Sequence, residues 1–209
     1  MVLDRRWKCM PKRYNIVVAG VGGQGLLTLG RVLGNAAIEA GIDVSIAETH
    51  GLSQRGGSLI VQIRLGEGES PMIPRGAADL LIGLEALETA RQIIYANKET
   101  RIVMNKFIWP PPLEIYPDLD QIIEKIKGRK LRLYVIDANK ISEEIVGSII
   151  SANMAILGYS YAVDPGLQER LEYKHLVKGL ERVFRGKVLE LNKKVLATAY
   201  DLGRKQVEK

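Results

Sequence analysis

Two periods of hydrophobic spacing run through this chain. Tyr14–Ala19 is an almost unbroken apolar run, which predicts a short strand buried on both faces. Over Gly25–Ala40 the apolar residues fall at Leu26, Leu29, Val32, Leu33 and Ala36, the spacing of a helix with one buried face. Gly41 ends that helix, and Asp43–Ala47 predicts a second strand. Strand, helix, strand is a βαβ opening. The expected fold class is therefore α/β: a Rossmann-like, mostly parallel open sheet with helices on both faces. Ser58–Leu65 sets Leu59, Val61, Ile63 and Leu65 against Ile60, Gln62 and Arg64. That alternation suits a half-buried antiparallel strand at the sheet edge.

Further along, strands are predicted at Asp79–Leu84, Arg101–Asn105 and Leu131–Asp137, and helices at Glu85–Tyr95, Leu119–Lys127 and Ile141–Val146. Trp109-Pro110-Pro111-Pro112 cannot be regular structure, because each proline removes a donor and fixes its own φ. Ser148–Ala162 is apolar, helix-length and nearly free of charge, which suits a helix buried in the core or in a subunit contact. Leu167–Arg185 and Lys187–Arg204 read as charged amphipathic helices that form a helical C-terminal extension. There are no internal repeats or long linkers. The expected organisation is a basic N-terminal segment, 1–13, outside the ordered domain, and one domain over 14–209.

Composition narrows the classes. With 209 residues, 46% of them hydrophobic, the chain can bury a sizeable core. No run approaches the ~18 apolar residues of a membrane span, and the basic start has no apolar leader core. Met10 is an alternative start, because Asn15 already enters the first strand. The single cysteine, Cys9, excludes a disulfide framework and any Cys-rich iron–sulfur or zinc site within this chain. A cytoplasmic location is expected, with neither a membrane nor nucleic acid as partner. The net charge of +6 sits at the ends: residues 1–13 hold five Lys/Arg against one Asp, and residues 174–209 hold ten Lys/Arg against four Asp/Glu. The bland reading is two solvated basic faces; contact with an acidic partner is the sharper one.

The candidate chemistry lies in two glycine loops. Gly20-Val21-Gly22-Gly23-Gln24-Gly25 follows the first strand and opens the first helix, the arrangement in which backbone N–H groups and a helix N-terminus meet a phosphate. Its spacing also fits the dinucleotide fingerprint. After the second strand comes Glu48-Thr49-His50-Gly51-Leu52-Ser53-Gln54-Arg55-Gly56-Gly57, at the strand edge where open α/β sheets bind ligands. Glu48 would be the ribose-binding acid of a dinucleotide site. Arg55 would pair a phosphate, and His50, Ser53 and Gln54 would donate hydrogen bonds. The bland reading is that Gly56-Gly57 only turns the chain. Catalytic sets are missing: His50 and His175 are the only histidines, and there is no Ser/His/Asp arrangement, H-E-x-x-H or Walker lysine. His175 reads as a surface residue. A phosphate loop without a catalytic set suits one subunit of a larger enzyme.

These two loops, with Ser70-Pro71-Met72-Ile73-Pro74, the proline run near Pro110, Ser151–Gly158 and the final Gly186-Lys187-Val188 helix, resemble the gamma domain of the 2-oxoacid:ferredoxin oxidoreductases. The resemblance covers nearly the whole chain after Tyr14. The E-T-H-G-L-S-Q-R-G-G loop points to the indolepyruvate branch, since the pyruvate and 2-oxoglutarate branches usually carry S-x-G-P-E-x-R-G there. The resemblance implies the beta subunit of a heteromeric enzyme, inactive alone. That enzyme oxidatively decarboxylates aryl-2-oxoacids such as indolepyruvate with CoA, giving aryl-acyl-CoA and CO2 and reducing ferredoxin. It places thiamine diphosphate and the iron–sulfur clusters in a large alpha subunit. It also implies that Gly20, Gly22, Gly23, Gln24 and Gly25, with Glu48, His50, Ser53, Gln54, Arg55 and Gly56, form a CoA-binding or subunit-facing edge. The alternatives are a gamma subunit of a pyruvate or other 2-oxoacid enzyme, a stand-alone NAD(P)- or FAD-binding oxidoreductase, and a non-enzymatic nucleotide-sensing domain. The basic ends would complement an acidic carrier such as ferredoxin.

Overall fold

The computed structural model describes residues 13–51, 56–68, 70–110 and 117–208. The apolar run forms β1 (Tyr14–Val21) and the first amphipathic stretch forms α1 (Leu26–Glu39). β2 (Val44–His50) and β3 (Ser58–Leu65) follow. Then come β4 (Leu80–Gly83), α2 (Ala86–Arg91) with a closing 3-10 turn at Gln92–Tyr95, β5 (Arg101–Asn105), α3 (Leu119–Lys127) and β6 (Arg132–Ile136). The chain ends in α4 (Ala138–Val146), a 3-10 turn at Ile149–Ser151, α5 (Ala152–Val163), α6 (Pro165–Gln168), α7 (Tyr173–Val183) and α8 (Gly186–Val207).

The six strands form one open sheet in the order β2-β3-β1-β4-β5-β6. β1, β4, β5 and β6 pair in parallel, and β3 pairs antiparallel with both β1 and β2. β3 alone runs against the rest, so the sheet is mixed and mostly parallel. One expectation changes here. Ser58–Leu65 is antiparallel as expected, but it lies between β1 and β2 rather than at the edge. β3 is therefore an interior strand, and β2 is the edge. Only seven residues separate His50 from Ser58, a spacing that suits antiparallel pairing of β3 with β2 and is too short for a parallel crossover.

Alternate residues of β1 face opposite layers, as the pleat requires. Ile16 and Val18 join a core with α1, α4, α5, α7 and α8, while Val17 and Ala19 join a second core with α2 and α3. The sheet grows from β1 in both directions, so crossovers of one hand put α1 on one face and α2 and α3 on the other. The predicted buried helix is α5, whose twelve residues are all buried. It crosses α8 closely enough that a Cβ on Gly158 would collide with the Leu196 carbonyl. The expected Leu167–Arg185 helix is two. Asp164 caps the short α6 by accepting from the Leu167 N–H at 2.6 Å, and the chain restarts at α7. His175 is half-buried there, and its Nδ1 accepts from the Glu172 N–H at 3.1 Å, closing the first turn of α7.

Candidate functional site

The register brings both glycine loops to one edge. Val21, the last residue of β1, pairs with Ser58, the first of β3, and His50 at the end of β2 pairs with Leu59. The C-terminal ends of β1 and β2 and the start of β3 therefore meet. The loops are bonded to each other. The Gly22 N–H donates to the Gly57 carbonyl at 2.9 Å, and the Gly56 N–H donates to the Gly22 carbonyl at 3.3 Å. Gly22 is buried within this joint and has no N–H left to offer a ligand.

The remainder of the first loop is shaped by Gln24. Its Oε1 accepts from the Val21 N–H at 2.7 Å, its Nε2 donates to the Leu84 carbonyl at 3.1 Å, and its backbone N–H donates to the Val21 carbonyl at 3.1 Å. Gln24 thus ties the end of β1 to the end of β4. Gly20 is buried beside it; a Cβ there would sit 2.7 Å from Gln24 Oε1. Gly23 and Gly25 hold φ of 108° and 78°, a region that disfavours side chains. Gly25 caps α1 without any side-chain cap bond. The N–H groups of Leu26, Leu27 and Thr28 therefore start α1 without intrahelical partners. Asn153 of α5 holds the turn from behind, with Nδ2 donating to the Gly25 carbonyl at 3.1 Å.

Glu48 is exposed on the edge strand, with β3 between it and the first loop. Two strand spacings, roughly 10 Å, separate β2 from β1. Gly56 is exposed and holds φ of 74°. His50 ends β2 by its backbone. Its side chain, and the whole of Ser53, Gln54 and Arg55, lie outside the described residues.

A cavity of about 320 Å³ opens beside the first loop. Gly23, Gln24 and Leu84 form one side, and Asn105, Asn139 and Ser148 supply further polar groups. Trp109, Ile149, Ile150 and Ala152 complete the wall. The cavity lies where the strand order turns outward from β1, the crevice in which open α/β sheets bind ligands. Its floor is a chain of amides. Asn105, 1% exposed, donates to the Leu84 carbonyl at 3.2 Å and to Asn139 Oδ1 at 3.0 Å, and accepts from the Ala138 N–H at 3.0 Å.

Sequence reasoning overlooked two buried acids behind this edge. Glu85, 1% exposed, caps α2 by accepting from the Glu88 N–H at 2.6 Å, and its Oε1 accepts from the Trp109 N–H at 3.2 Å. Burial pushes its carboxyl above the ordinary glutamate range. Glu88, 3% exposed, accepts from Ser58 Oγ at 2.6 Å and pairs with Arg91 at 2.5 Å. The first acid fixes the start of the proline run and the second fixes the exit of the second glycine loop. The available signal was a Glu at the end of a strand, three residues before another Glu, in the N-cap position of a short helix.

Among the described residues there is no cluster of three or more His, Cys, Asp or Glu that would hold a metal, and no helix long and apolar enough to cross a membrane. One cysteine in the whole chain cannot supply the thiolates of an iron–sulfur cluster. Several cations of the C-terminal helices have acidic partners: Arg182 with Glu39 at 2.6 Å, Lys178 and Lys193 with Glu181 at 3.2 and 3.0 Å, and Arg204 with Glu208 at 3.1 Å.

A family model described as "Pyruvate ferredoxin/flavodoxin oxidoreductase" matches residues 15–202. The chain is 36% identical over 197 residues to the indolepyruvate oxidoreductase subunit IorB of Archaeoglobus fulgidus, covering 90% of this chain and 94% of that one. Among solved structures it is similar to the pyruvate oxidoreductase subunit PORC of Thermotoga maritima, with a TM-score of 0.70 at 19% identity, over 90% of this chain and 96% of that one. It is also similar to 2-oxoglutarate:ferredoxin oxidoreductase from Magnetococcus marinus, solved with 2-oxoglutarate, coenzyme A and succinyl-CoA bound. There the TM-score is 0.70 at 21% identity, over 92% of this chain and 31% of that longer one. These two likenesses establish the fold.

Proposed function

The chain belongs to the pyruvate ferredoxin/flavodoxin oxidoreductase family, as a subunit of an oxidoreductase of the indolepyruvate branch, and from that premise we propose that its two joined glycine loops receive coenzyme A for the reaction of a larger partner. The complete enzyme takes an aryl-2-oxoacid, CoA and two oxidised ferredoxins to aryl-acyl-CoA, CO2, two reduced ferredoxins and a proton. Thiamine diphosphate and the clusters belong to the large partner subunit. The donor set of this chain does not fit a cluster, so no electron-transfer step is assigned to it.

The observation that carries this reading is the Gly22–Gly57 joint. It turns Gly20–Gly25 and Glu48–Gly56 into one edge at the switch point of the sheet. The first-turn N–H groups of α1 face anionic ligands in such an edge. In this reading the partly exposed Leu27 and Thr28 meet the CoA diphosphate, and Gly23 lets it approach. His50, Ser53, Gln54, Arg55 and Gly56 line the same crevice or face the partner, and Glu48, out on the edge strand, faces the partner. A stand-alone dinucleotide enzyme fits less well, because β3 separates Glu48 from the loop whose ribose it would have to bind.

Calorimetry of the full chain, alone and with its large subunit, against CoA and NAD tests this. CoA binding that Gly22→Val abolishes is the expected result. Tight NAD binding without a CoA response overturns the reading.

A further inference from the structure

The cavity beside the first loop has a composition the phosphate reading does not use. None of its lining residues carries a charge, so it suits a neutral portion of a ligand rather than a phosphate or carboxylate. One wall is the Trp109 ring, 45% exposed, with Ile149 and Ile150 at the mouth, 43% and 75% exposed. These are three of the large apolar side chains this surface leaves in contact with water, and they surround one opening. Scattered single residues of this kind are ordinary; a group around a cavity marks a binding surface.

Trp109 is held in place. Its backbone N–H donates to the buried Glu85 carboxyl at 3.2 Å, which fixes the chain at this point, and its ring meets Phe107 edge to face, with centroids 6.2 Å apart at 64°. Below lies the amide floor. Asn139 uses Oδ1 to accept from Asn105, and its Nδ2 has no partner among the described residues. A pinned aromatic wall, aliphatic edges and an amide donor together suit a flat heteroaromatic ring, which stacks on one face and hydrogen-bonds at its rim. At about 320 Å³ the cavity is at the small end of ligand sites. Gly23 lines it and also belongs to the phosphate loop, so the ring lies within one nucleotide of the diphosphate.

We propose that this cavity is the base subsite of the nucleotide: it takes the adenine ring of CoA, stacked against Trp109 and read by Asn139. The inference rests on the CoA reading and specifies the neutral pocket beside the loop. It gives the start of the proline run a role beyond that of a rigid connection. The aryl group of the product is excluded here, because the pantetheine arm carries it far from the diphosphate.

The test uses the full chain with its large subunit and 1,N6-etheno-CoA, whose base is fluorescent. Binding is expected to quench the base. Trp109→Ala is expected to remove the quench and weaken binding about tenfold, the scale of one lost stacking contact. Trp109→Phe should retain most of both, and Asn139→Ala should weaken binding with the quench kept. Affinity for 4′-phosphopantetheine, which has no base, should be the same in all four proteins. Trp109 is on the surface, so its variants should keep the wild-type unfolding midpoint. If Trp109→Ala binds and quenches etheno-CoA like the wild type, the base subsite is overturned and the CoA reading stands. If the wild-type complex binds phosphopantetheine and etheno-CoA equally, the base makes no contact and the inference again falls. If it binds neither, the CoA reading falls as well.

Discussion

The Gly22 N–H donates to the Gly57 carbonyl at 2.9 Å, across 34 residues of intervening chain. This bond and its companion from Gly56 make two loops into one structure. Gly22 and Gly56 spend their N–H groups on this joint and have none left for a ligand. What remains accessible is Gly23, with Leu27 and Thr28 of the first turn of α1 partly so, beside a cavity walled by amides and apolar side chains.

Gly25 is the most constrained residue of the first loop. It holds φ of 78°, and an added Cβ would collide with Asn153 Nδ2. Gly25→Ala is therefore expected to cost about 1–3 kcal/mol, from backbone strain and the displaced Asn153. At this chain length each kcal/mol lowers Tm by about 2–4 °C. Thermal unfolding checks this; an unchanged Tm would mean that the turn relaxes freely.

Asn105 bridges three elements from a buried position. Asn105→Ala leaves the Ala138 N–H at the start of α4 without its acceptor, while the Leu84 carbonyl keeps Gln24. The expected loss is about 1–3 kcal/mol. Urea unfolding should show a lower midpoint with unchanged slope. A changed slope would instead point to an altered unfolded or native ensemble.

Asp164 gives a pH dependence at the opposite edge of the sheet. Burial raises its carboxyl above the ordinary range, despite hydrogen bonds from Tyr14 and Leu167 and the nearby Arg101. The native state then holds a proton that the unfolded chain has released. Stability rises as pH falls through the raised native value towards the unfolded value of about 3.9. Asp164→Asn retains an acceptor for Tyr14 and Leu167 but cannot titrate. The stability of the wild type relative to this variant should grow across that window by up to about 1.4 kcal/mol per pH unit. Above the window it should be flat. Urea titrations at several pH values measure it, and a relative loss on acidification would show the opposite shift.

Glu88 links α2 to the second loop through Ser58 Oγ. Ser58→Ala removes that donor and leaves Glu88 with Arg91. The expected cost is about 1–2 kcal/mol. Proteolysis at the loop 51–57 should become faster, while α1 and α5 keep their amide protection. Equal cleavage of both proteins would place the control of this loop elsewhere.

The strands and α1 were legible because their signals are local. An apolar run followed by glycines gave β1, and regular spacing gave the buried face of α1. The insertion of β3 was not legible. Period two identifies Ser58–Leu65 as a strand but carries no information about its neighbours, and its half-polar alternation suggested the sheet edge. The break between α6 and α7 was hidden because Leu167 and Leu171 bury at a spacing of four and no glycine or proline marks residues 169–172. Of the candidate site, the glycine loops could be read from their spacing. Trp109, Asn105, Asn139 and the two buried acids could not, because they come from separate strand ends that only the fold assembles.

The central claim is that the loop edge of this chain handles CoA for a reaction completed on another subunit. The most direct measurement is steady-state reduction of ferredoxin by the reconstituted complex on indolepyruvate, with CoA and oxoacid varied separately, for wild type and Gly23→Val. Gly23 holds φ of 108° at the mouth of the cavity, so the variant disturbs the edge and leaves the core untouched. The expected result is a KM for CoA raised about tenfold or more, as an interaction worth ~1.4 kcal/mol or more is lost, with the KM for indolepyruvate unchanged. An unchanged KM for CoA, or activity that does not require this chain, would contradict it.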